Sequence, residues 1–73
     1  DTSAEVIVLQ SKSIIYKMTD GDELIILFKP TEQKETIIIP EDYRFYLSSS
    51  NLFQAVDAQT YEISDIGTYI FKK

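Results

Sequence analysis

Few side chains in this sequence can move a proton or attack an electrophile. His and Cys are both absent, which removes the imidazole base, the thiolate nucleophile and the softer metal ligands together. Ser48-Ser49-Ser50 stand in a row, but a serine hydroxyl attacks only when a neighbouring base takes its proton. No glycine elbow surrounds them, so a polar loop with a helix cap is the expectation. Asp20-Gly21-Asp22-Glu23 gathers three carboxylates in a tight turn, yet the spacing of a calcium-binding loop is not met. Asp-Gly is also what a hairpin turn wants. Glu41-Asp42 after Pro40 reads as a turn or helix start. The two glycines, Gly21 and Gly67, sit in no phosphate-cradling pattern. The chain is expected to be no enzyme, with no cofactor, no metal and no small-molecule substrate.

Charge narrows the partners. The net charge is −5 over 73 residues, and the pI is about 4.4. A nucleic-acid binder needs clustered cations to displace counterions from phosphates. Here Lys and Arg are few and scattered, so no nucleic acid is expected, and the same balance argues against an anionic membrane surface. No run approaches the ~20 apolar residues of a spanning helix. The absence of Cys excludes a disulfide scaffold but fits cytosolic and disulfide-free secreted proteins alike. The chain opens on Asp1 rather than Met, as a processed or excised segment does.

Aromatic residues concentrate in the C-terminal half: Tyr43, Phe45, Tyr46, Phe53, Tyr61, Tyr69 and Phe71, with Tyr16 and Phe28 earlier. A stacking platform for single strands would interleave them with cations, and only Arg44, Lys72 and Lys73 lie near. Core filling accounts for most of them. Tyr also joins apolar area to a polar tip and is favoured at protein interfaces, which makes Tyr43 and Tyr46 candidates for a contact surface.

The elements that must position these residues are β-strands. Residues 1–73 read as one small β-rich domain. Glu5–Gln10, Ser13–Met18, Glu23–Lys29 and Thr36–Ile39 are short runs rich in Ile and Val, separated by polar turns. Thr19-Asp20-Gly21 suits a three-residue hairpin loop with Gly in the left-handed region. That register pairs Met18 with Asp22, Lys17 with Glu23, Tyr16 with Leu24 and Ile14 with Ile26. A return through Thr31–Lys34 then brings Phe28 to Ile37 and Ile26 to Ile39. Beyond Pro40, Tyr43, Phe45 and Leu47 alternate as a half-buried strand does. Asn51 and Gln54 resemble a capping box, so residues 51–58 form either one short helix or a further strand. Tyr61–Ser64 and Thr68–Phe71 flank a turn at Asp65-Ile66-Gly67. The expected fold is mainly β: an antiparallel meander making a small barrel, a curved sheet or a sandwich.

Within that last turn, Asp65-Ile66-Gly67-Thr68-Tyr69-Ile70-Phe71 resembles the Asp-x-Gly-x-Tyr-x-Cys tyrosine corner of immunoglobulin domains, with Phe71 at the Cys position. The likeness covers seven residues. The disulfide and the core Trp are missing, the chain is shorter, and no strand follows, so the segment is read as a turn and no family is assigned.

One pattern points toward function. The expected meander is apolar on both faces, with Ile14, Tyr16, Leu24, Ile26, Phe28, Ile37 and Ile39 on one side. Ile15, Ile25, Leu27 and Ile38 lie on the other. A solvated face would alternate with polar residues. The second set, with Tyr43 and Tyr46, is the candidate interaction surface. A protein-interaction module or assembly component, docking on a protein partner or a second copy, is the leading expectation. A small acidic inhibitor or adaptor that mimics nucleic acid is the alternative. An OB-like or SH3-like nucleic-acid binder is disfavoured by charge.

Overall fold

In a computed structural model, which describes residues 4–18 and 23–73, the chain forms eight strands and no helix among the described residues. They are β1 (Ala4–Val8), β2 (Ile14–Met18), β3 (Leu24–Lys29), β4 (Glu35–Ile38), β5 (Arg44–Ser48), β6 (Phe53–Ala55), β7 (Thr60–Ile63) and β8 (Gly67–Lys72). Two antiparallel sheets result, a five-stranded one in the order β1-β2-β3-β8-β5 and a three-stranded one in the order β4-β7-β6. Neither closes into a barrel, since both run from one edge strand to another.

A tight hairpin joins β1 to β2. Lys12 N–H donates to Leu9 O at 3.0 Å and Leu9 N–H to Ser13 O at 2.8 Å, with Lys12 at φ +69°. This is the three-residue loop closed by a left-handed residue, built at Gln10-Ser11-Lys12 and without glycine. The Thr19-Asp20-Gly21 loop lies outside the described residues, but the strands flanking it fix the register. Met18 pairs with Leu24, Lys17 with Ile25, Tyr16 with Ile26 and Ile14 with Phe28, two residues away from the sequence expectation. The Lys17–Glu23 pairing is not made, and Glu23 is engaged elsewhere. Its carboxylate lies 3.0 Å from Lys73 Nζ and accepts from the Tyr43 hydroxyl at 3.3 Å. A slip of two preserves which side chains share a face.

The expected return from β3 to a neighbouring β4 is not made. β4 crosses to the second sheet and pairs with β7, Ile37 opposite Tyr61 and Ile38 opposite Thr60. The place beside β3 goes to β8, with Ile26 opposite Ile70 and Phe28 opposite Thr68. Lys29 anchors the crossing. It is 2% exposed, and its ammonium donates to Thr31 O at 2.6 Å, to Gln33 O and to Ser64 O at 3.3 Å. These carbonyls stand in for water around the buried charge and tie both ends of the crossover together.

The core lies between the sheets. Ile25, Leu27, Tyr69 and Phe71 face it from the larger sheet, and Ile37, Tyr61 and Ile63 from the smaller, with Ile39 and Tyr43 closing one end. Phe45, Phe53, Tyr61, Tyr69 and Phe71 form one aromatic cluster, Tyr61 and Phe71 having ring centroids 5.0 Å apart and Phe45 and Phe53 4.8 Å apart. That cluster decides residues 51–58, where the strand alternative holds in place of a helix. Pairing Phe53 with Ile63 directs its ring inward, and Asp57 Oδ1 accepts from Gln59 and Thr60 N–H at 2.8 Å to turn the chain into β7.

The corner between β7 and β8, read from the sequence as a turn only, holds a buried tyrosine bond. The Tyr69 hydroxyl, fully buried, donates to Asp65 O at 2.7 Å, as in a tyrosine corner. The three serines gather there as structural ligands of the backbone. Ser49 Oγ accepts from Thr68 N–H at 2.9 Å, Ser50 Oγ donates to Asp65 Oδ2 at 2.6 Å, and Ser48 Oγ donates to Ser50 O.

Candidate interaction surface

Cross-strand partners lie on the same face, so the registers define what each sheet presents outward. One row of the larger sheet runs Val6, Tyr16, Ile26, Ile70, Leu47 across all five strands. The next runs Val8, Ile14, Phe28, Thr68. Both rows point away from the core. Val6 is 57% exposed, Val8 65%, Phe28 44% and Leu47 47%, while Tyr16, Ile26 and Ile70 between them are half-buried by their neighbours. At one end Ile14, Phe28, Pro30 and Ile66 line a shallow apolar groove.

The outer face of the smaller sheet is different in kind. Thr36, Thr60, Glu62 and Gln54 face outward there, and Lys34 adds an ion pair to Glu62 at 2.5 Å. Ile38, 74% exposed, and Val56, 55% exposed, stand on either side of Thr60 among them. One sheet thus shows the polar alternation of a solvated face and the other does not.

The residues singled out from the sequence are not brought together. Ile25 (6% exposed), Leu27 (0%) and Tyr43 (5%) belong to the core, and Ile15 packs against it. Ile38 lies on the opposite outer surface. Tyr46 is exposed at the β5 edge, where Lys72 Nζ stands 5.3 Å from its ring centroid. On β2 and β3 the two faces of the expected meander are therefore exchanged, while Ile37 and Ile39 are buried and Ile38 is exposed. Leu27 and Ile25 lie beside Tyr69 and Phe71 of β8, and those buried aromatics decide which side is interior. Missing from the sequence expectation are Val6, Val8, Ile70 and Leu47, which only the placement of β1, β8 and β5 beside β2 and β3 reveals.

A cationic corner adjoins the apolar rows. Arg44 and Lys72 are direct cross-strand partners, and a bulge between Phe45 and Leu47 turns Tyr46 toward them. Lys73 is drawn off toward Glu23 and Asp42, at 3.0 and 3.3 Å, which raise its pKa. The same Glu23, together with burial as the larger cause, raises the Tyr43 phenol. Among the described residues no three carboxylates gather closely enough to hold a metal ion. No protein-family model, characterised protein or solved structure matches this chain.

Proposed function

We propose that this domain is a non-catalytic protein-interaction module that docks through the outer face of its five-stranded sheet. The observation that carries the reading is the contrast between the two outer surfaces. The smaller sheet sets Ile38 and Val56 among Thr, Gln and an ion pair, while the larger leaves Val6, Val8, Phe28 and Leu47 in water around a continuous row of half-buried apolar residues. A contiguous apolar face on a folded domain marks a contact site. The partner it fits has an apolar centre and a carboxylate to meet Arg44 at the corner.

The arrangement of strands supports the reading of a rigid sandwich behind that surface. β4-β7-β6 over β5-β8-β3 parallels the B-E-D and C-F-G order of immunoglobulin domains, with β3 standing where strand G would be. The nucleic-acid-mimic reading is weaker. Glu23 and Asp42 are paired with Lys73, Glu62 with Lys34, Asp65 with the Ser50 hydroxyl and Asp57 with its own turn.

The test replaces Phe28 and Leu47 together by Glu. Both are about half exposed, so the cost to stability is expected to stay near ~1 kcal/mol. Proteins captured from the native source on the immobilised parent should be lost from the variant. Retention of every captured protein by a folded variant refutes the docking face.

A further inference from the structure

The two sheets have four edge strands, and three of them are guarded. β5 is broken by the bulge at Phe45/Leu47 and carries Arg44. β6 is three residues long, and β4 is a four-residue strand that begins on Glu35 and is followed by Ile39-Pro40. Short strands, bulges, charges and proline are the devices that keep a sheet edge from pairing with another chain. β1 has almost none of them. It reads Ala-Glu-Val-Ile-Val without a break in its register to β2, and Val6, Ile7 and Val8 are 57%, 42% and 65% exposed.

The open hydrogen-bonding groups of β1 follow from its hairpin. Leu9 N–H bonds Ser13 O, so Leu9 turns its polar groups toward β2. In an antiparallel ladder residues alternate in this respect. Ile7 and Glu5 therefore also bond β2, while the N–H and C=O groups of Ala4, Val6 and Val8 point to the open edge.

From this edge we infer that a second copy of the chain pairs along β1, antiparallel, about a twofold axis at Val6. The inference goes beyond the docking face, since it concerns the open edge of the same sheet and a partner of its own. A twofold axis at Val6 sets Val6 opposite the second copy's Val6 and Val8 opposite its Ala4, which uses every outward N–H and C=O of both strands. It places Glu5 opposite the second copy's Ile7. An axis at Glu5 would face two carboxylates, which repel, and an axis at Ile7 would leave Ala4 without a partner. Within each copy Lys17 is the cross-strand neighbour of Glu5, so the junction is locally neutral despite the acidity of the whole. The paired strands are self-complementary, as a twofold interface requires. Five strands from each copy become one sheet, and the row through Val6 runs unbroken from one outer face to the other.

Val6→Pro is the informative variant. The Val6 N–H points away from β2, so proline removes an edge donor without breaking the ladder behind it, and edge positions tolerate proline. Sedimentation equilibrium over a concentration series should show a reversible dimer for the parent and a monomer for Val6→Pro, with unchanged circular dichroism. Hydrogen exchange on the parent gives a second readout that needs no variant. The Val6 and Val8 amides should exchange slowly at high protein concentration and at least ~10-fold faster on dilution. A parent that stays monomeric at millimolar concentration overturns the inference. So do a dimer that survives Val6→Pro and fast exchange of both amides at all concentrations. The Phe28→Glu/Leu47→Glu variant leaves β1 intact and should still dimerise, so failure of either reading is seen separately.

Discussion

At the scale of single residues, the chain uses small polar side chains to fasten backbone where two loops meet. Gly67 sits against Ser49 so closely that a Cβ there would collide with Ser49 Oγ, the same atom that accepts from Thr68 N–H. Alanine at 67 should therefore displace the hydroxyl and cost that bond, about 1–2 kcal/mol. In a Ser49→Ala background the collision is gone, and Gly67→Ala should cost less by at least ~0.5 kcal/mol. Urea unfolding of the four proteins measures the cycle, and strict additivity would refute the account. The serine row was legible as non-catalytic because nothing nearby could activate it. The helix cap expected of it is not made, since β6 follows and the hydroxyls bind Thr68, Asp65 and Ser50 instead. Lys29 was not legible. In sequence, Lys29-Pro30 reads as a guard at a strand end, and only the crossing of the chain shows three carbonyls closing on its ammonium.

At the scale of elements, strand composition carries far and pairing does not. The runs around β1, β2, β3, β4, β7 and β8 are visible in their Ile, Val, Tyr and Phe content, because these side chains suit a pleated surface wherever it lies. Which strand neighbours which depends on crossings of the core, and no local pattern in Thr31–Lys34 distinguishes a hairpin return from a change of sheet. Residues 51–58 show the same limit, since a capping-box sequence yields to the burial of Phe53 in the aromatic cluster. Local geometry also leaves a gain unclaimed. Lys12 holds φ +69° at the closing position of the β1–β2 loop, where an L side chain is strained. Lys12→Gly should stabilise the domain by about 1 kcal/mol, net of the entropy glycine adds to the unfolded chain. In a domain this size that raises Tm by about 4–8 °C. A lower Tm would mean that the Lys12 side chain contributes contacts worth more than the strain.

At the scale of the whole molecule, pH acts on groups that join distant strands. Burial raises the phenols of Tyr43 and Tyr69, and the carboxylates of Glu23 and Asp42 raise the Lys73 ammonium. A group whose pKa is higher in the folded state binds more protons there than in the unfolded chain. Its contribution is complete below the unfolded value and lost as pH rises through the folded one. All three shifts have the same sign, so stability should decline above pH about 10. Tyrosinate absorbance followed with far-ultraviolet circular dichroism tests this. Of the five tyrosines, Tyr43 and Tyr69 should ionise only as the fold is lost. Smooth titration of all five before any unfolding would contradict the burial that sets the shift. The apolar outer face was foreseen as a kind of surface but assigned to the wrong side, because side-chain alternation gives two faces without saying which is inside.

The sheet order bears on how the chain is made as well as how it stands. β8 lies between β3 and β5 inside the larger sheet, yet it is the last of the described strands in chain order. A chain leaving the ribosome presents β1, β2 and β3 as a three-stranded meander long before residues 67–72 follow. In that interval Ile25, Leu27 and the apolar outer rows are all uncovered, and β3 is itself an open edge. The aggregation hazard of transient edges is then greatest during synthesis. A chaperone that covers β3 until β8 arrives suits a domain in which an interior strand of the sheet is the last of its strands to be made.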